Sequence, residues 1–162
     1  MAAVDYFLKL DGIEGESQDA KHKGEIDLES WSWGETQTGT MHAGGGGGAG
    51  KVQMQDFHFV MKVNKSSPKL MLACASGEHI KSATLTCRKA GKEQQEFYKI
   101  TFSDVLVSSF QTGGSGQGDI LPTEQISLNF AKVEWEYKPQ KPDGTLDGPI
   151  KSGWNMKTNT KV

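Results

Sequence analysis

The 162 residues suit one domain, and a chain of this length buries enough apolar surface to fold without staples. The formal net charge of −2 gives no basic footprint for nucleic acid, and no stretch nears the roughly 20 apolar residues of a membrane helix. Met1-Ala2-Ala3-Val4-Asp5-Tyr6 lacks the parts of a signal peptide, and Cys74 and Cys87 lack metal spacing, so free thiols made in a reducing cytosol are expected.

The pattern is mostly short strands. Val4, Tyr6, Leu8 and Leu10 alternate with polar residues, and so do Ile26 and Leu28. Residues 1–30 carry Asp5, Asp11, Glu14, Glu16, Asp19, Glu25, Asp27 and Glu29 against only Lys9, Lys21 and Lys23. This imbalance reads either as solvated surface or as charge complementarity between stacked copies. Trp31 and Trp33 share one face of a strand, with Ser32 on the other. The indoles are expected to pack in the core or between subunits; a carbohydrate or peptide platform is the alternative.

Phe57, Phe59, Met61 and Val63 then recur at period two. Ser67 can cap one short helix, with Pro68 at its first position, Leu70 to Ala75 as its body and Gly77 as its stop. Ala83, Leu85 and Cys87 alternate with Ser82, Thr84, Thr86 and Arg88, as in a half-buried strand. Tyr98, Ile100 and Phe102 share a face before Val105 and Val107 take the opposite parity. Ile126, Leu128 and Phe130 likewise hand over to Val133, Trp135 and Tyr137. Two such switches predict bulges, or strands that leave one sheet for another, and hence a barrel or bent sandwich. A glycine-rich loop near Gly113 and a turn at Pro142 complete the pattern.

One segment invites a different reading. Gly44, Gly45, Gly46, Gly47, Gly48, Ala49 and Gly50 precede Lys51 and match both G-x-x-x-x-G-K and G-x-G-x-x-G. Val52 stands where a phosphate loop needs a Ser or Thr hydroxyl, and a strand pattern follows in place of a helix N-terminus. A nucleotide site is therefore not expected. Ordering a residue's backbone costs about 1–2 kcal/mol, so seven cost roughly 7–14 kcal/mol, comparable to a typical domain's whole stability of about 5–15 kcal/mol. Such a loop needs a partner if it is to order.

No residue constellation nominates catalysis. His22, His42, His58 and His79 are isolated in sequence, and no G-x-S-x-G elbow occurs. Glu134 and Glu136 sit opposite Val133, Trp135 and Tyr137, as on a solvated face. No enzyme activity, metal or cofactor is expected.

Several segments stand in a telling order: Ser30-Trp31-Ser32-Trp33-Gly34, the glycine run, Gln55-Asp56-Phe57, Ser66-Ser67-Pro68, Ala73-Cys74-Ala75-Ser76-Gly77, Lys89-Ala90-Gly91, Val107-Ser108-Ser109, Leu128-Asn129-Phe130-Ala131 and Gly153-Trp154-Asn155. Over essentially its whole length the chain resembles the haemolysin-coregulated protein (Hcp) family, the tube proteins of the bacterial type VI secretion system. The resemblance implies a mainly β fold: a single domain over residues 1–162, a closed β-barrel of two packed antiparallel sheets with one short helix and a long extended glycine-rich loop. It implies homohexameric rings that stack into a tube, related to the phage tail tube. It implies contact with the spike and with sheath or baseplate components, and small effector proteins held in the lumen. Synthesis in the bacterial cytoplasm and secretion without a signal peptide follow from the same resemblance, with neither nucleic acid nor membrane insertion. Met41, His42, Gly44, Gly45, Gly46, Gly47, Gly48, Gly50 and Lys51 would form the subunit or ring interface, and Ser32 would face the lumen. The sequence stops at Val162, soon after Trp154, so no appended enzyme is expected.

Overall fold

The computed structural model describes residues 3–42, 47–90 and 93–162. Its strands are β1 (Val4–Leu10), β2 (Ile26–Asp27), β3 (Ser30–Ser32), β4 (Glu35–Gly39), β5 (Ala49–Met54) and β6 (Phe57–Lys62). After helix α1 (Ser67–Ser76) come β7 (His79–Lys89), β8 (Gln95–Gly113), β9 (Thr123–Asn129), β10 (Lys132–Tyr137), β11 (Ile150–Asn155) and β12 (Thr160–Lys161).

The fold is mainly β with one short helix, as expected. The closed barrel is not what the ladders form. One ten-stranded sheet runs β12-β11-β10-β8-β7-β1-β2, with β9, β6 and β3 branching from β8; β4 and β5 pair as a separate two-stranded sheet. The reason lies at Leu28 and Glu29, which interrupt the chain between β2 and β3. Single bonds replace a ladder there: Leu28 N–H donates to Tyr6 O at 3.0 Å and Glu29 N–H to Val60 O at 2.9 Å.

The branch at β8 explains the first parity switch. Up to Ser103, one edge of β8 pairs with β10; from Leu106 that edge pairs with β9. Asp104 sits between, with φ 55°, in the left-handed region that lets the strand turn its faces over. The second switch is not inside one strand. Phe130 and Ala131 separate β9 from β10, and the two strands pair with opposite halves of β8.

One apolar cluster fills the interior, drawing Leu8, Phe57, Phe59, Leu85, Ile100, Phe102, Ile126 and Leu128 from the strands around it. Helix α1 adds Leu70 and Ala73 to it. The helix begins after Ser66, one residue earlier than a Ser67 cap allows. Gly77 ends it in the left-handed conformation, its N–H returning to Ala73 O. Ser67 reaches the buried Glu124 through its hydroxyl, tying the helix start to β9. Trp31 packs on Tyr6, Phe57 and Tyr98, and Trp33 on Phe102, Phe130 and Trp135. The indoles therefore pack against the core while remaining half-buried.

Strand β7 departs from the expected half-burial. Thr86 and Arg88, on its outward face, are 4% and 2% exposed. The segment between β1 and β2 folds over that face and is held there by charge. Arg88 Nη1 and Nη2 donate to the Asp19 carboxylate at 2.9 and 2.6 Å, and Nη2 reaches Asp5 at 3.1 Å. His22 stacks on Phe7 at 4.3 Å, with Nδ1 2.9 Å from Glu25 and Nε2 2.6 Å from Glu96.

Candidate functional site

The branch β3-β6-β9-β8 presents two faces of opposite character. Its inward row is Trp31-Phe59-Ile126-Phe110, each residue directly across from the next. Flanking that row on the outward face are Ser32-His58-Ser127-Ser109 and Ser30-Val60-Gln125-Gln111. Period-two alternation enforces this separation, since neighbouring residues on a strand point to opposite faces. His58 Nδ1 lies 3.1 Å from Ser127 Oγ, a cross-strand bond inside the first row.

Neither outward row contains Asp, Glu, Lys or Arg. The charges beside them are bound within the chain. Asp56 accepts from Ser108 Oγ at 2.6 Å and Asn129 Nδ2 at 2.9 Å. Lys62 Nζ lies 2.6 Å from Asp119 and 3.4 Å from Glu29, and the Lys62 hydrogen bond holds the Asp119 carboxyl below the usual carboxylate range. The result is a surface dominated by uncharged hydrogen-bonding side chains (Ser, Gln and His), with Ser32 exposed on it.

The other expected site residues cluster on an arm. Strands β4 and β5 pair from Glu35–Met54 to Gly39–Ala49, and all five residues of β4 are exposed. Thr40 closes the described end: its Oγ1 donates to Gly48 O at 2.8 Å, and Gly48 N–H donates back to Oγ1 at 3.1 Å. Met41 is 80% exposed and His42 is exposed beside it. Gly50 and Lys51 belong to β5 rather than to a loop, so no helix N-terminus follows the lysine. Gly44, Gly45 and Gly46 lie outside the described residues.

Two of the glycines have a steric reason. A Cβ on Gly47 would stand 2.6 Å from Met41 Sδ and 3.0 Å from its Cα, and one on Gly50 would stand 3.0 Å from Thr38 O. A side chain at Gly47 would displace Met41, and one at Gly50 would require the Thr38 carbonyl to give by a few tenths of an ångström.

Elsewhere the titratable groups serve structure. The Arg88 hydrogen bond holds the Asp19 carboxyl well below the usual carboxylate range, while Asp19 in turn raises Arg88. Burial pushes the Cys87 thiol up to about 12, against a partial offset from its bond to Trp31. Both cysteines are free, Cys87 buried and Cys74 half-buried. Sequence reading missed the Arg88 latch, because period two assigned Arg88 to solvent. It also missed the partners of Ser32, which only strand order reveals.

The comparisons with known proteins agree with one another. The family model described as "Type VI secretion system effector, Hcp" matches residues 7–137. The chain is 57% identical over 162 residues to Protein hcp1 of Pseudomonas aeruginosa, covering 99% of both chains. Hcp1 from Salmonella typhimurium has a similar structure, with a TM-score of 0.82 and 37% identity over 99% of this chain and 100% of that one. A further solved structure, described as a type six secretion system protein, gives a TM-score of 0.93 at 33% identity over 99% and 100% of the two chains. With the family match spanning most of its length, this chain belongs to the Hcp family of type VI secretion system proteins.

Proposed function

We propose that this protein is a structural tube subunit. Copies join as hexameric rings, the rings stack, and the tube leaves the bacterial cytoplasm through the type VI machine without a signal peptide. Spike and sheath or baseplate components contact the tube, and small effector proteins ride in its lumen.

The observation that carries this reading is the β4–β5 arm. It is a two-stranded sheet with every β4 residue exposed. An isolated two-stranded hairpin is marginal in water. Another copy, seated on the arm, supplies the missing contacts through Met41, His42, the glycines and Lys51. The ring closes by a head-to-tail contact, in which one patch meets a different patch on the next copy. The rows around Ser32 then line the lumen, where their serines leave room for cargo.

Electron microscopy of the purified protein tests this directly, and rings with an open centre and six-fold symmetry are expected. A monomer by light scattering at every concentration would overturn the proposal.

A further inference from the structure

The lysines of the acidic N-terminal region do not scatter. Lys9, Lys21 and Lys23 are the only basic side chains among residues 1–30 apart from His22, and all three line one open cleft of about 560 Å³ with Lys69 of α1. Three separate segments thus converge: the end of β1, the segment folded over β7, and the helix. All four lysines are exposed. Among the described residues none of them has a carboxylate oxygen within 4 Å, whereas Lys62, Lys65, Lys138 and Lys157 each have one.

The cleft also holds Asp11, Glu14 and Glu25. Glu14 lies 3.1 Å from Lys65 Nζ, and Glu25 lies 2.9 Å from His22 Nδ1. Its lining sets four lysines against three carboxylates, a formal excess of one positive charge inside a chain of net charge −2. We infer that this cleft docks an acidic segment of a partner protein. The interleaved carboxylates decide between anions. A dense polyphosphate would meet Asp11, Glu14 and Glu25 at close range, and like charges brought together oppose binding. A peptide spaces its carboxylates several ångströms apart, so they can fall on the lysines and avoid the acids. Lysine suits this role, because a point charge on a flexible stem follows an irregular anionic segment and demands no fixed fork geometry.

The test uses the full-length ¹⁵N-labelled protein, a synthetic peptide of about eight residues rich in Glu and Asp, and inorganic tripolyphosphate at matched charge and salt. Peptide titration is expected to shift the amides around Lys9, Lys21, Lys23 and Lys69. Rising salt should weaken the binding, as it screens exposed charges. The pair Lys21→Gln and Lys23→Gln should weaken the peptide about ten-fold, because two exposed ion pairs to it can no longer form. Lys9→Gln with Lys69→Gln gives an independent second variant, and Lys99→Gln with Lys151→Gln, at the β8–β11 cleft, should leave affinity unchanged. Peptide shifts that spread evenly over all surface lysines would overturn the inference. Tighter binding of tripolyphosphate would do the same, as would cleft variants whose only effect is on self-association, since the occupant would then be a second copy. Electron microscopy of the same samples keeps the two readings apart: rings without cleft-specific peptide binding overturn only this inference, and cleft-specific binding without rings overturns only the tube reading.

Discussion

Arg88 shows how a single residue can hold down a segment. It is 2% exposed and sits between the carboxylates of Asp19 and Asp5. Removing one partner of a buried ion pair leaves charge without compensation, which is what makes such pairs sensitive to mutation. The Asp19 side chain keeps 21% exposure, which discounts the full value of a charged hydrogen bond. Asp19→Asn is therefore expected to cost about 1–2 kcal/mol at pH 7 in urea unfolding. Because folding lowers the pKa of this carboxyl, its contribution is complete above the ordinary value of 3.8 and fades as pH falls below it. Wild type and variant should converge in acid; a difference that stays constant from pH 7 to pH 3 would refute the role given to Asp19. The sequence could not show this latch. Period two correctly set Leu85 and Cys87 inward, but it carries no information on a loop that later covers the outer face.

The elements divide into those that build the core and those, such as β4 and β12, that do not. Strands β6 to β9 and α1 bury Phe57, Leu70, Ile80, Phe102 and Ile126, while β4 buries nothing. Deleting residues 44–48 should therefore leave the thermal midpoint within about 2 °C of wild type, a shift that corresponds to about 0.5–1 kcal/mol for a chain of this size. Ring stacking or secretion should fall sharply. Tubes that assemble as before in the deletion would remove the arm from the interface. Here the sequence was partly legible. The failed phosphate motif was visible in Val52 and the strand pattern after it, although β5 starts earlier than expected, at Ala49 inside the glycine run. The pairing of β5 with β4 was not visible, because Glu35-Thr36-Gln37-Thr38-Gly39 has no apolar alternation to betray a strand. Cross-strand hydrogen bonds alone define it.

At the scale of the whole molecule, strand order brings together what sequence keeps apart. Ser32, His58, Ser109 and Ser127 come from four strands, yet form one continuous row. In the proposed ring this row repeats around the bore. Ser32→Gln should leave rings intact by electron microscopy but lower the retention of a co-expressed effector, as the longer side chain fills lumen space. Equal effector stability with wild type and variant would remove Ser32 from the cargo contacts. The chain's parity switches did announce a bent sheet, and Asp104 marks one of them. Closure did not follow, since the pattern of Ile26 and Leu28 says nothing about Leu28 and Glu29 losing their ladder.

The alternation of rows on the β3-β6-β9-β8 branch also sets rules for how this protein can change over evolutionary time. Each outward position can be exchanged singly, since a new side chain at Gln125 or Ser109 meets no core atom's place in the inward row. Insertions are another matter. One residue added between Phe57 and His58 would carry Phe59 and Met61 outward and His58 and Val60 inward, reversing wet and dry along the rest of the strand. Such a lineage can drift in what its surface says by substitution alone, while its strand lengths stay locked.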